Sequence, residues 1–161
     1  MIKKIFISLL YIALTTTNSI AAGSSDSGSS KTKYDIAVSH IKAAKKFESQ
    51  DNSKEAKKKY KKAQKLLIQS NKKFPNKADT LNYLGFTTRK LGDYENGEKY
   101  YLEGLAIDPT HIGINEYLGE LYVATNRVNL AIERLEILKN CNCEEYQELK
   151  EIIEGKKVSK Y

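Results

Sequence analysis

The stretch from Ala78 to His111 superimposes on the stretch from Ile112 to Glu145 at a 34-residue period. Leu84-Gly85 in the first unit returns as Leu118-Gly119 in the second, and the turn Gly92-Asp93-Tyr94 returns around Asn126-Arg127-Val128. A period of this length marks stacked helix pairs, because one pair exposes an apolar face that only a neighbouring pair can cover. Leu81, Leu84, Tyr101 and Leu105 fall at helical spacing before the stop at Asp108-Pro109. In the second unit Tyr117, Leu118, Tyr122, Ala131, Leu135 and Leu138 do the same. The expectation is an all-α chain, and the presence of only 2 Pro among abundant Lys, Glu, Leu and Ala agrees with long uninterrupted helices.

Upstream, Ile36, Ala37, Ile41, Ala44 and Phe47 recur at helical spacing from Asp35, and Ser, Asp and Asn break the pattern between Glu48 and Ser53. Ser53 is the expected N-cap of a second helix whose stripe is Ala56, Tyr60, Ala63, Leu67 and Phe74, ending at Pro75. Residues 35–77 thus read as a degenerate first unit without the Leu-Gly pair. Residues 78–111 and 112–145 are the two regular units, 145–155 a capping helix and 156–161 a tail. Small residues at Gly85, Gly97, Gly104, Gly119 and Ala131 are expected where helix axes approach. Tyrosines such as Tyr94, Tyr100 and Tyr101 are expected to fill the wider gaps. Gly97 and Gly104 lie mid-helix, at about 1 kcal/mol each relative to Ala, and mark that helix as the softest of the array.

The segment TLNYLGFTTRKLGDYENGEKYYLEGLAIDP resembles the tetratricopeptide repeat family. The resemblance implies an α-solenoid of about three helix pairs plus a C-terminal capping helix over residues 34–155. It also implies a non-enzymatic interaction scaffold without cofactor or metal, which binds a partner peptide or helix in a concave groove lined by the first helix of each pair. By repeat register the groove residues would be Asp79, Asn82, Phe86, Arg89 and Lys90 from one unit, and Glu116, Glu120 and Val123 from the next. Together they would give an apolar floor with a basic end and an acidic end. Family members that clamp a C-terminal carboxylate carry Lys, Asn and Arg there. Only Asn82 and Arg89 fit such a set, so that specificity is not assigned.

Residues 1–21 read as a secretory signal. Lys3 and Lys4 precede a short apolar run from Ile5 to Leu14, and Ser19-Ile20-Ala21 supplies small residues for cleavage. The run falls short of the roughly 20 residues a spanning helix needs. Residues 22–33 form a Gly/Ser-rich leader. The expectation is an exported bacterial-type protein, periplasmic or secreted, acting as an adaptor in the cell envelope. Charge is uneven along the chain: 15 Lys face four acidic residues from Lys31 to Lys77, whereas ten basic residues face 15 acidic ones from Ala78 onward. The Lys-rich helix offers weak contact with an anionic membrane surface, or is simply a solvated face. Export removes the chain from most nucleic acid, so Lys57, Lys58, Lys59, Lys61 and Lys62 are not assigned to it.

Cys141 and Cys143 are the only cysteines and lie between the last repeat helix and the cap. A disulfide that fixes the angle of the last helix, pairing with another molecule, two free thiols, or a metal or redox role all remain open. A small redox or metal-handling envelope protein, delivering copper for instance, is therefore the alternative function. His40 and His111 read as ordinary surface residues. No phosphate loop, nucleophile elbow or His-Glu metal motif is present in the sequence.

Overall fold

A computed structural model describes residues 31–159 as seven helices, with no strand among the described residues. They are α1 (Lys33–Glu48), α2 (Ser53–Lys73), α3 (Ala78–Lys90), α4 (Tyr94–Ile107), α5 (Ile112–Ala124), α6 (Val128–Leu138) and α7 (Glu144–Ile153). The expected signal peptide and most of the expected leader lie outside the described residues.

Helix starts α3 and α5 are 34 residues apart, at Ala78 and Ile112, as are α4 and α6, at Tyr94 and Val128. The left-handed residue in the turn of each pair recurs at the same interval, as Gly92 at φ 96° and Asn126 at φ 59°. Glycine adopts that conformation without a Cβ penalty, and asparagine is among the few side chains that tolerate it.

Three local boundaries differ from the sequence reading. α1 begins inside the expected leader, because Thr32 and Asp35 form a reciprocal capping box: Thr32 Oγ1 accepts from Asp35 N–H, and Asp35 returns by accepting from Thr32 N–H at 2.9 Å. Asn52, rather than Ser53, caps α2 by accepting from Glu55 N–H at 3.3 Å. Phe74 leaves the α2 stripe and is 52% exposed, because Pro75 drives the residue before it out of helical conformation, to φ −134° and ψ 79°. Ser70 is buried on that face instead. Tyr94 is likewise exposed rather than filling a gap.

α1 packs on α2, α3 on α4 and α5 on α6. The hairpins stack along α2–α3 and α4–α5, and α7 lies against both α5 and α6. The result is a tetratricopeptide-type α-solenoid of three helical hairpins and a cap. Its seam runs from Ala37, Ile41 and Ala44 through Tyr60, Leu67 and Leu84 to Phe86, then from Tyr101 through Ile114, Leu118 and Leu121 to Ala131. Tyr117 packs against both stretches and joins them. Between α4 and the turn that joins α5 to α6, Arg127 makes a two-pronged ion pair with Glu98 at 2.8 and 2.7 Å while its guanidinium lies 4.6 Å from the Tyr122 ring.

The repeated glycines are close-approach positions. A Cβ on Gly85 would stand 2.5 Å from Tyr101 Cε1, and one on Gly119 would stand 2.5 Å from Leu149 Cδ2. The glycines of α4 do more than soften it: a Cβ on Gly104 would collide with Ile114 of the next hairpin, and one on Gly97 would meet the Gly85 carbonyl oxygen at 3.2 Å. Gly119→Ala gains about 1 kcal/mol of helix propensity but forces Leu149 aside, an overpacking cost of about 1–3 kcal/mol. The expected net result is a loss of about 1 kcal/mol, read as a lower urea midpoint at unchanged slope, with a greater loss for Gly85→Ala because an aromatic ring cannot fold away. Midpoints at or above the parent's would show that the notch does not constrain α7.

Candidate peptide-binding cavity

α1, α3, α5 and α7 come together around a cavity of about 460 Å³. The C-terminal end of α1 contributes Lys45 and Glu48, α3 contributes Phe86 and Lys90, and α5 contributes Glu116, Tyr117 and Glu120. α7 and the tail complete the wall with Glu148, Ile152, Lys157 and Val158.

Four of the residues expected from register line this space: Phe86, Lys90, Glu116 and Glu120. Arg89 lies beneath it at 1% exposure. Its Nη1 donates to the Tyr117 carbonyl at 2.7 Å and its Nη2 to Glu120 at 3.3 Å. Asn82 is buried close against Gly113, and its Oδ1 is without a hydrogen-bond partner among the described residues. Val123 is half-buried against the second part of the core. Asp79 sits away from the cavity, with one oxygen 3.2 Å from His111 Nε2. That histidine is more than a surface residue: its Nδ1 accepts from Ile114 N–H at 3.2 Å and so caps α5, which leaves Nε2 as the proton-bearing nitrogen facing Asp79.

Lys45, Glu48, Tyr117, Glu148, Ile152 and Lys157 were not among the expected groove residues. Lys45 and Glu48 belong to the degenerate first unit. Glu148 and Ile152 belong to a cap that carries no repeat signature. α7 starts 32 residues after α5, at Glu144 against Ile112, rather than 34. With that shortened interval, Glu148 takes the place of Glu116 in the next helix and Ile152 that of Glu120. Counting back from the cap's own start would have found both.

The rings of Phe86 and Tyr117 lie 5.0 Å apart, tilted at 38°. The Lys45 ammonium sits 4.9 Å from the first centroid and 5.5 Å from the second, and donates to the Tyr117 hydroxyl at 3.2 Å. Around them Lys90 pairs with Glu48 at 2.7 Å, Lys157 with Glu148 at 2.6 Å and Arg89 with Glu120. Glu48 also accepts from the Tyr60 hydroxyl at 2.8 Å. Burial, reinforced by the charges of Glu120 and Glu148 and by a hydrogen bond with Glu148, pushes the Glu116 carboxyl up to about 9. Burial also raises Glu120, against the opposing pull of Arg89, and lowers Lys45 against the pull of the facing carboxylates. Desolvation thus outweighs pairing at Glu116, Glu120 and Lys45, whereas at Lys157 the hydrogen bond to Glu148 wins and raises the ammonium.

A second hollow of about 550 Å³ opens between the start of α1, the end of α2 and the start of α3. Tyr34 and Phe74 lie within a rim of Lys31, Lys33, Lys73 and Lys77. At the far end, Cys141 and Cys143 are joined as a disulfide, with Cα atoms 5.2 Å apart and Asn142 between them in the left-handed region at φ 51°. Among the described residues no group of three or more His, Cys, Asp or Glu is placed to hold a metal ion.

No family model matches the chain, and no curated protein matches it. Among solved structures 39 chains are similar. One of them is described as the first tetratricopeptide repeat of Spaghetti (RPAP3) bound to the HSP90 peptide SRMEEVD. It shares 16% identity at a TM-score of 0.49, over 77% of this chain and 95% of that one.

Proposed function

We propose that the protein is an exported, non-catalytic adaptor that holds a segment of a partner polypeptide in the cavity between α1, α3, α5 and α7. The supporting observation is the cavity itself: ring faces and charged side chains turned into one space of about 460 Å³, within the size range of sites that enclose a ligand. Charges are costly where burial strips their water, so solubility does not account for their presence there. The partner belongs to the cell envelope. The exposed lysines of α2, among them Lys57, Lys58, Lys61 and Lys62, add a weak attraction to an anionic membrane surface.

A photocrosslinking residue tests the reading in intact cells producing the full chain. Placed at Ser49 or Ser53 on the rim, it is expected to yield a discrete adduct with another polypeptide. Placed at the exposed Lys99 of α4, away from the cavity, it is expected to yield none. Rim positions that give no adduct, or the same adduct as Lys99, would remove the cavity from the function.

A further inference from the structure

Resting on that reading, we propose that the cavity takes a basic side chain, lysine or arginine, of the bound polypeptide. Glu116, Glu120 and Glu148 receive its charge while its methylenes lie on Phe86 and Tyr117.

Three carboxylates from two helices border the space that the two rings line. The chain's own Lys45 shows that an ammonium fits over those rings, at 4.9 and 5.5 Å from the centroids. Lys45 stands on the rim of the cavity with a flexible four-carbon stem, so it can swing out as a guest enters. The ion pairs decide the sign of that guest. Arg89 answers Glu120, Lys157 answers Glu148 and Lys90 answers Glu48. Glu116 has no cation at ion-pair distance among the described residues, and Glu120, Glu148 and Glu145 all act on it as like charges. Lys45 attracts it from beyond that distance, so an incoming guanidinium or ammonium replaces Lys45 as the positive charge beside it. An acidic guest at the same place would be repelled by Glu120 and Glu148, the charges that already act against ionisation of Glu116.

Ionic recognition here is linked to pH. Glu116 holds its proton at pH 7 because burial raises it to about 9, so a cationic guest releases that proton on binding. Lys45 and Glu48 on α1, Arg89 and Lys90 on α3 and Lys157 in the tail stand around it, and of these cations Lys45 attracts Glu116 without reaching ion-pair distance, while Arg89, Lys90 and Lys157 pair with other carboxylates. Binding of a basic guest consequently strengthens from pH 7 to pH 9.

The test uses the full chain and pools of N-acetylated, C-amidated hexapeptides, each pool fixed at one residue type and otherwise built from Ala, Ser, Gly and Leu. The Lys- and Arg-fixed pools are expected to be retained about tenfold over the Ala- and Glu-fixed pools, a difference of about 1.4 kcal/mol. That preference should grow between pH 7 and pH 9, collapse in Glu116→Gln and increase in Lys45→Ala. Glutamine reproduces the shape of the protonated acid, so the variant folds, as its circular dichroism melt will verify. Retention without a basic preference, or an unchanged preference in Glu116→Gln, overturns this inference and leaves the peptide-binding reading standing. If no pool is retained at all, the peptide-binding reading itself falls.

Discussion

Replacing Glu116 with glutamine is expected to stabilise the protein by about 2–3 kcal/mol at pH 7 and to make its stability far less sensitive to pH. In the folded chain Glu116 is 5% exposed and burial holds the proton on its carboxyl up to about pH 9, against 4.5 for an ordinary glutamate. Between those two values the native state binds more protons than the unfolded chain, so this group's contribution is fully present below about 4.5 and is lost as pH rises through 9. Glutamine presents a comparable shape, donates a hydrogen bond from its amide toward Glu148 and needs no proton to do so. Parent and variant should melt together near pH 4.5 and separate progressively to pH 8.5. Thermal melts followed by circular dichroism at four pH values measure the separation. Parallel pH profiles would mean that the carboxyl is ionised in the folded protein and that water reaches it.

Truncating Arg89 to alanine is expected to cost about 3–5 kcal/mol, because it strands the buried Glu120 carboxylate and empties a space among aromatic rings. The guanidinium lies 5.6 Å from the Tyr117 centroid and 6.0 Å from those of Phe86 and Tyr101, and it donates to the Tyr117 carbonyl at 2.7 Å. Adding Glu120→Gln to Arg89→Ala should restore part of the loss, since a neutral amide tolerates the vacancy that a carboxylate does not. Arg89→Lys should restore little, for an ammonium cannot reach both acceptors in the planar geometry that the fork provides. Urea unfolding gives all three values. A loss below about 1 kcal/mol for Arg89→Ala would show that the pair contributes little beyond its packing.

The hairpin order was legible in the sequence because a 34-residue echo, two Leu-Gly pairs and turn residues at matching offsets all point the same way. The cavity was legible only in half. Phe86, Lys90, Glu116 and Glu120 follow from register within the two regular units. Lys45 and Glu148 do not, since one sits in a helix with no Leu-Gly marker and the other in a helix displaced by two residues from the repeat. Arg89 reads as a groove residue by spacing alone. Its burial depends on a carbonyl and a carboxylate supplied by the neighbouring hairpin, which no local pattern encodes. Thr32 and Phe74 show the same limit at the scale of single residues, where a reciprocal cap and a following proline override hydrophobic periodicity.

Leu149 is keyed into the notch that Gly119 leaves open, and the Cys141–Cys143 link constrains the turn that leads from α6 into α7. A helix keyed in this way behind a constrained turn has little latitude to slide, so the wall bearing Glu148 and Ile152 stands in place before any guest arrives. Encounter then demands little additional ordering of the host, and differences among guests should express themselves mainly in how long each one stays.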